Sequence, residues 1–361
     1  MFNRIQNIYS ISGNDNIIIN GDVVIDKDVP VKIAAQLLKP ELDILTLEAR
    51  EEFWALVNKC VEDIIGKIVE KKLEEKIAEF AKPSTQFAFY TTLKGYAAVE
   101  TVEQREMLVD SFIERTQESW DSAEKMIIDS ALEILPRLTP RMLSTLGLLQ
   151  LRHQITNASI SFMLNQYFTN LTPLVEQMAD IDGLEMEYLK QEQLVLPLPG
   201  LQSIVPFEKY MLSQYDLFFR HPLPDGVYEN YCKANPQAHE AVSDVPIRAC
   251  MMWVDGTKDN VSSFCCANSN MLKETLRRRH QDYIIPHVDT LMGMMPAFTE
   301  DEVREYFKAL SPSWERLLSM FSSETFTHYI LSITGKYLGG KVLAKVSRSK
   351  PLPLSGYKNL I

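Results

Sequence analysis

The feature that most constrains the fold is a helical spacing of apolar residues that begins near Pro40. Apolar side chains recur three and four positions apart, as they do on the buried side of an amphipathic helix: Leu42, Leu45, Ala49, Phe53, Leu56, Cys60, Ile64 and Ile68. A narrower stripe continues this spacing and predicts one long helix that ends at Pro83, with Gly66 as its softest point. At about 1.5 Å per residue, some forty residues would span roughly 60 Å. This helix would connect the N-terminal segment to the rest of the chain.

The remainder of the chain is also predicted to be helical. Amphipathic spacing runs over residues 84–178, and Thr139 followed by Pro140 predicts a capped helix start. Helical spacing returns over 271–280, 300–310 and 313–337, while a turn at Asp180 and several prolines place a domain boundary near residue 200. The predicted fold class is mainly α, a multi-helical body with a long connecting helix and a short N-terminal β-ribbon or β-arch. Its predicted parts are the β segment (1–30), the amphipathic connecting helix (31–83), a helical domain (84–200) and a second, mostly helical part with a basic C-terminal tail (201–361).

The first thirty residues differ in kind from the rest of the chain, because Asn, Gly and β-branched residues dominate them. Residues 7–13 and 16–21 are two imperfect copies of a β-favouring run closed by glycine, and residues 23–25 add a third run. A lone pair of short strands is marginal in water, so the segment needs a further surface. Three alternatives stand: a ribbon folded onto its own chain, ordered self-association between chains, and a disordered tail.

Self-association is the predicted function, in an interaction and assembly protein without enzymatic activity. β-Branched residues and Asn suit in-register stacking between chains, where Ile packs without water and Asn side chains form ladders. The predicted contacts are Ile8, Ile11, Ile17, Ile19, Val23 and Ile25 in the ribbon, and Phe53, Leu56, Cys60, Ile64 and Ile68 on the helix. Both sets equally suit packing within one chain. A homo-oligomer, with a further protein partner, is therefore expected.

Charge argues against a general polyanion binder. The chain has 37 Lys and Arg against 48 Asp and Glu, a formal net charge of −11, whereas such binders attract phosphate through a basic surface. A local basic patch stays an alternative, formed by Arg277, Arg278, Arg279, Lys341, Lys345 and Arg348. The apolar windows are far shorter than the roughly 20 residues that cross a bilayer. With five cysteines and no basic, apolar signal segment at the start, the expected location is the cytoplasm.

Two patterns suggest specific chemistry. Residues 335–341 fit the G-x-x-x-x-G-K spacing of a phosphate-binding loop, but Val342 replaces the hydroxyl that binds magnesium, so a flexible, basic helix end is the better interpretation. The second half also gathers side chains of the types that zinc selects: Cys232, His239, Cys250, Cys265, Cys266, His280 and His287. Because none forms a C-x-x-C pair, no metal site and no cofactor is predicted. A metal-dependent hydrolase remains an alternative function.

Several stretches resemble one family. They are STQFAFYTTLKGYAAVETVEQREMLVDSFIERT, SAEKMIIDSALEILPRLTPRMLSTLGLLQLR, LVLPLPGLQSIVPFEKYM and the ending LPLSGYKNLI. These stretches, together with the N-terminal Gly/Asn/Ile segment and the charged helix, resemble the LPO/Vpar-type family of uncharacterised bacterial proteins over most of the chain. The Leu135–Thr139 turn is comparable to one in that family. The family's middle segment often carries Cys-Gly-Ser where this chain has Pro199, Gly200 and Leu201, so no role of that cysteine transfers.

The resemblance implies a mostly helical, bacterial, cytosolic protein with no assigned activity and no catalytic residues to transfer. It also implies a further alternative function, because families of this kind are encoded near anti-phage systems. In that alternative, the protein is an antiviral defence sensor or effector that clustering activates.

Overall fold

The computed structural model describes residues 17–19, 23–25, 28–119, 122–151, 161–178, 181–198, 205–224, 226–236, 251–253, 261–264, 266–322 and 329–347. The chain divides into two compact units, Met1–Leu138 and Thr139–Ile361. Helices dominate both units, and the described strands form two-stranded sheets. The prediction of a mainly α protein is therefore confirmed.

The first unit begins with two short strands and continues as helices. Strands β1 (Ile17–Ile19) and β2 (Val23–Ile25) pair antiparallel, with Ile17 opposite Ile25. The helices of this unit are α1 (Asp28–Leu37), α2 (Lys39–Ile44), α3 (Leu47–Glu70), α4 (Pro83–Ala98), α5 (Val102–Gln117) and α6 (Ala123–Ile134). The 3₁₀ turns Glu74–Ala81 and Leu135–Arg137 complete the unit. Residues 28–30 of the predicted β segment belong to α1 instead, and the parts of that segment over residues 1–16, 20–22 and 26–27 lie outside the described residues.

The single long helix predicted over residues 31–83 is wrong, because the chain interrupts it at Leu38, at Leu45–Thr46 and after Glu70. Thr46 starts a new helix after a bend, since its hydroxyl accepts a hydrogen bond from the Ala49 N–H at 3.4 Å. After Glu70, Lys72 takes a left-handed conformation with φ of 55°, and the Leu73 N–H reaches the Ile68 carbonyl at 2.9 Å. This is a Schellman end, which stops α3 well before Pro83. Gly66 lies inside the uninterrupted part.

The core of the first unit is aromatic. The rings of Phe80, Phe89 and Phe112 meet with centroids 5.1 to 5.5 Å apart, from the 3₁₀ turn, α4 and α5. Beside them Arg115 of α5 is buried and donates to both carboxylate oxygens of Asp129 and, at 2.8 Å, to the Ser84 carbonyl. Arg115 thereby joins α4, α5 and α6 through one charged group.

The second unit is built from helices α7 to α16 and strands β3 to β6. The helices are α7 (Pro140–Gln150), α8 (Ser161–Met178), α9 (Gly183–Gln191), α10 (Phe207–Gln214), α11 (Val227–Ala234), α12 (Ser269–Arg278), α13 (Ile285–Gly293), α14 (Glu300–Leu310), α15 (Pro312–Ser322) and α16 (Ile333–Ser347). The strands pair antiparallel as β3 (Val195–Pro197) with β6 (Tyr329–Leu331), and β4 (Met251–Trp253) with β5 (Val261–Phe264). The helix predicted over 313–337 is thus interrupted by a strand.

Glycines let α16 approach its neighbours closely. A Cβ on Gly339 would lie 2.9 Å from the Leu146 carbonyl carbon of α7 and 3.0 Å from the Gln150 Cβ, and it would overlap the Leu146 carbonyl oxygen. From the opposite side, a Cβ on Gly147 would lie 2.8 Å from Val342. At this crossing Gly339 packs against the Leu146 backbone carbonyl and Gly147 packs against the Val342 side chain, and residues without a Cβ permit both approaches.

A second cluster of buried residues in this unit surrounds α11, α12 and α13. It includes Phe264, Cys232 and Cys266, together with aliphatic residues of these helices. Arg220 holds the chain beside it, donating to the carbonyls of Asp216, Met292 and Met295 at 2.5 to 2.9 Å. Arg220 thus provides hydrogen-bond donors to the backbone carbonyls at the end of α13. We therefore assign it a structural role.

Candidate functional site

A surface groove, named here the α4–α6 groove, lies between α4 and α6 in the first unit. It encloses about 430 Å³ and is open to solvent. Its floor is small or apolar, because Gly95, Ala98, Leu132 and Pro136 line it, and a Cβ on Gly95 would lie 2.6 Å from Pro136. The polar side chains of the lining are Tyr90, Thr91, Lys94, Glu133 and Arg137.

Three residues at the groove form a hydrogen-bonded network. The Tyr90 hydroxyl donates to the Glu41 carboxylate of α2, and the Lys94 ammonium donates to the same carboxylate at 3.3 Å and to the Tyr90 oxygen at 3.2 Å. Burial alone would raise the pKa of Glu41, but the hydrogen bonds from Tyr90 and Lys94 bring that pKa below its usual range. The hydrogen bond with Tyr90, together with Glu41, raises the pKa of Lys94. Both groups are therefore charged at neutral pH, which suits anchoring and ionic contact more than proton transfer.

Replacing Glu41 with glutamine should destabilise the first unit at pH 7 by roughly 0.5 to 1 kcal/mol, as expected for a half-exposed ion pair. A depressed folded-state pKa stabilises above the unfolded value of about 4.3, and that stabilisation is lost as the pH falls through the folded pKa. The difference between wild type and Glu41→Gln in urea unfolding should therefore shrink below about pH 4. The exposed Glu52→Gln on α3 is the control. A difference that persists at low pH would contradict this account.

Two large apolar side chains stand beside the groove without cover. Phe87 of α4 is 73% exposed and Met126 of α6 is 72% exposed. Phe87 lies one helical turn before Thr91, and Met126 lies two turns before Glu133, so each shares a helix face with one residue of the lining, although neither lines the groove itself. Neither residue was predicted from the sequence, because neighbouring apolar residues such as Phe89 hide Phe87 within one continuous apolar pattern. Only the position of each residue around α4 distinguishes the exposed Phe87 from the buried Phe89.

The structure distributes the predicted self-association residues over different environments. Ile17, Ile19, Val23 and Ile25 lie in β1 and β2, whereas Ile8 and Ile11 lie outside the described residues. On α3, Phe53 and Leu56 are half-buried. Three further residues of that stripe lie in the core of their own unit: Cys60, Ile64 and Ile68. These three side chains pack within their own unit, whereas Phe53 and Leu56 keep part of their surface exposed.

The predicted Cys and His residues do not form a cluster among the residues that the structure covers. Cys232 and Cys266 are buried in apolar surroundings, and burial raises the pKa of the Cys266 thiol. The Tyr231 hydroxyl and His287 Nδ1 are 2.7 Å apart, while His280 is the left-handed residue that ends α12. Within the described ranges, no group of three or more His, Cys, Asp or Glu side chains is placed to hold a metal ion. His239, Cys250 and Cys265 lie outside those ranges.

The glycine-lysine stretch at residues 335–341 is neither a loop nor a helix end. It lies inside α16, and its residues from Gly335 to Lys341 are buried. The Lys336 N–H already donates to the Ser332 carbonyl at 2.8 Å. Because a phosphate-binding loop uses free backbone N–H groups, this stretch does not have the geometry of one. The interpretation as a flexible helix end is wrong as well, since the glycines serve close packing.

The predicted basic patch is only partly present. Arg277, Arg278 and Arg279 are exposed at the end of α12, and Arg278 pairs with Glu274 at 2.5 Å. Lys341 is buried and its ammonium lies 5.0 Å from the centre of the Tyr337 ring, so it adds nothing to an exposed surface. Lys345 is exposed and Arg348 lies outside the described residues.

No helix among the described residues has both the length and the apolar character that crossing a membrane requires. A protein-family model, whose description reads ":-like", matches residues 31–356, which is most of the chain. That description states no activity. No curated protein matches the chain. No solved structure matches it either.

Proposed function

We propose that the chain, which belongs to the LPO/Vpar-type family over residues 31–356, is an interaction and assembly protein that self-associates through its N-terminal β segment. The strands β1 and β2 precede the residues that match the family. In this proposal the N-terminal segment joins copies, while the helical units supply the binding surface.

The proposal rests on one observation: among the described residues, the β1–β2 sheet pairs with no further strand. All six residues of its two strands are β-branched and aliphatic, and within the described part of the chain the sheet has no third strand. A two-stranded sheet of this size is marginal in water. Among the described residues, no strand pairs with the outer edge of β1 or β2, so in this proposal their backbone N–H and C=O groups bond to a strand from a second copy.

A second contact is consistent with this assembly. Ile44 and Leu47, at the bend between α2 and α3, are strongly exposed, and Phe53 and Leu56 farther along α3 are half-buried. These residues come soon after the strands in the chain. In this proposal a partner copy also covers part of this exposed apolar surface.

The proposal is tested by absolute mass. We expect light scattering to give a defined oligomer or filament for the full chain and a monomer for a chain that begins at Val31. The single change Ile18→Asp should also lower the mass, because a carboxylate in a stacked aliphatic strand has no partner. The matched control is Leu184→Asp on α9, where the side chain is 81% exposed.

Two results would reject the proposal. One is the same mass for the full chain and the chain that begins at Val31. The other is an equal loss of mass in Ile18→Asp and Leu184→Asp, which would mean that added charge acts on association in general. Circular dichroism of each variant checks that its helices are retained.

A further inference from the structure

Lys125 lies among charged side chains in the first unit. It belongs to the first turn of α6, where the Ser122 hydroxyl accepts a hydrogen bond from the Lys125 N–H at 3.1 Å. Four charged side chains act on its ammonium, and together with Lys125 they are named here the Lys125 cluster: Arg115, Asp129, Glu79 and Lys82. The cluster thus joins α5, α6 and the chain just before α4.

Both carboxylates of the Lys125 cluster are already paired. Asp129 accepts two hydrogen bonds from Arg115, and Glu79 accepts one from Lys82 at 2.7 Å. Among the residues that the structure describes, no carboxylate forms an ion pair with Lys125 itself. The cluster therefore contains three cations and two carboxylates, and the Lys125 ammonium is the surplus charge.

The surroundings of Lys125 favour its neutral amine over its ammonium. The residue is 8% exposed. Burial lowers the pKa of its side chain, and the positive charge of Arg115 lowers that pKa further. The N-terminal end of a helix is also positive, so the position of Lys125 in the first turn of α6 acts in the same direction. A desolvated lysine beside another cation has more unprotonated amine at neutral pH, and that amine is the nucleophilic form.

The Lys125 nitrogen is covered less than the rest of the side chain. Arg115 Nη1 is fully enclosed and has no hydrogen-bond partner, whereas Lys125 Nζ is not enclosed in this way. Lysine often buries its aliphatic stem and keeps its nitrogen at the surface. A small reagent can therefore reach this nitrogen, while the covered stem leaves little room for a large one.

We propose that Lys125 is a modification site that takes an acyl group from a small acyl phosphate. The unprotonated Nζ attacks the acyl carbonyl carbon and forms an amide bond, while the bond from that carbon to the phosphate oxygen breaks. The amine loses one proton, and the phosphate leaves as hydrogen phosphate. The acylated side chain is neutral, so the Lys125 cluster is left with two cations and two carboxylates. This inference does not depend on the β1–β2 sheet.

The test is acetylation of the full chain by acetyl phosphate near neutral pH, with the rate at each lysine followed by peptide mass spectrometry. Lys59 on α3 is the matched control, because it is 59% exposed but pairs with Asp63 at 2.9 Å, and that hydrogen bond raises its pKa. We expect Lys125 to react about fivefold faster than Lys59, although Lys59 is far more exposed. Circular dichroism checks that the chain stays folded during the reaction.

A second acyl donor and two variants make the result specific. With acetyl coenzyme A, which is much larger, Lys125 should lose its advantage over Lys59. Glu79→Gln removes a carboxylate that raises the pKa of Lys125, so it should increase the ratio of the Lys125 rate to the Lys59 rate. Lys125→Gln removes the surplus charge as acylation does, so its melting temperature should be at least that of the wild type.

Four results would overturn the proposal. They are a Lys59 rate with acetyl phosphate that equals or exceeds the Lys125 rate, an advantage of Lys125 that appears only with acetyl coenzyme A, an unchanged rate ratio in Glu79→Gln, and a melting temperature of Lys125→Gln below that of the wild type.

Discussion

Replacing Gly339 with alanine should lower the free energy of unfolding by about 3 kcal/mol, as overpacking against a rigid neighbour does. The new Cβ would overlap the Leu146 carbonyl oxygen, which belongs to the backbone of α7 and has no rotamer by which to move away. Since Gly147 makes the matching approach from α7 to Val342, neither helix can shift without disturbing the other contact. Urea unfolding followed by circular dichroism measures the change.

The control is the same substitution at a glycine with open space. A Cβ on Gly66 of α3 would meet nothing within 4 Å, so Gly66→Ala should stabilise by about 0.5 to 1 kcal/mol through helix propensity. If Gly339→Ala lowers the free energy of unfolding and Gly66→Ala raises it, the loss at Gly339 is due to packing and not to helix propensity. An unfolding free energy for Gly339→Ala within about 0.5 kcal/mol of the wild type would contradict the close approach of α7 and α16.

The second large effect is expected at Asp129. Its carboxylate is 40% exposed, whereas the Arg115 guanidinium that it pairs with is 3% exposed. Asp129→Ala should therefore destabilise by about 3 kcal/mol, because it leaves a buried charge that cannot lose its proton. Thermal or urea unfolding of the full chain reports the change.

Two further variants identify its cause. Asp110 on α5 pairs with Lys67 at 2.6 Å in a more exposed setting, so Asp110→Ala should change stability by less than about 1 kcal/mol. Adding Arg115→Met to Asp129→Ala should recover part of the loss, since an apolar side chain of similar length needs no partner. Equal effects of the two aspartate substitutions would show that burial of Arg115 is not what matters.

The helices could be predicted where their signals are local. Thr139 and Pro140 predicted a helix start, and the structure confirms it, with the Thr139 hydroxyl accepting from the Met142 N–H at 3.2 Å. The bend before Thr46 and the end of α3 could not be predicted from apolar spacing, because the stripe from Leu42 to Ile68 crosses the bend and a narrower stripe continues past Glu70. When two consecutive helices bury the same side of the chain, the apolar spacing in the sequence continues unchanged through the bend between them.

Contacts between distant parts of the chain could not be predicted from the sequence. From the sequence, Gly335 and Gly339 indicated a flexible segment. In the structure they lie against the backbone carbonyls of Leu194 and Leu146, and nothing in the neighbouring sequence predicts these two contacts. The Glu41 contact with Tyr90 and Lys94 likewise joins α2 to α4. Each of these features depends on which helix lies opposite, and one-dimensional patterns do not contain that information.

The order of elements along the chain also affects synthesis. The first unit is a continuous stretch that ends at Leu138, so all of its helices emerge from the ribosome before any part of the second unit does. The second unit begins with α7, which packs closely against α16 at Gly147 and Gly339. In the same unit, β3 can pair only after β6 has been synthesised. Nascent chains therefore carry an uncovered α7 until α16 has been synthesised. Newly made second units should depend on chaperones, whereas first units should fold while still attached to the ribosome.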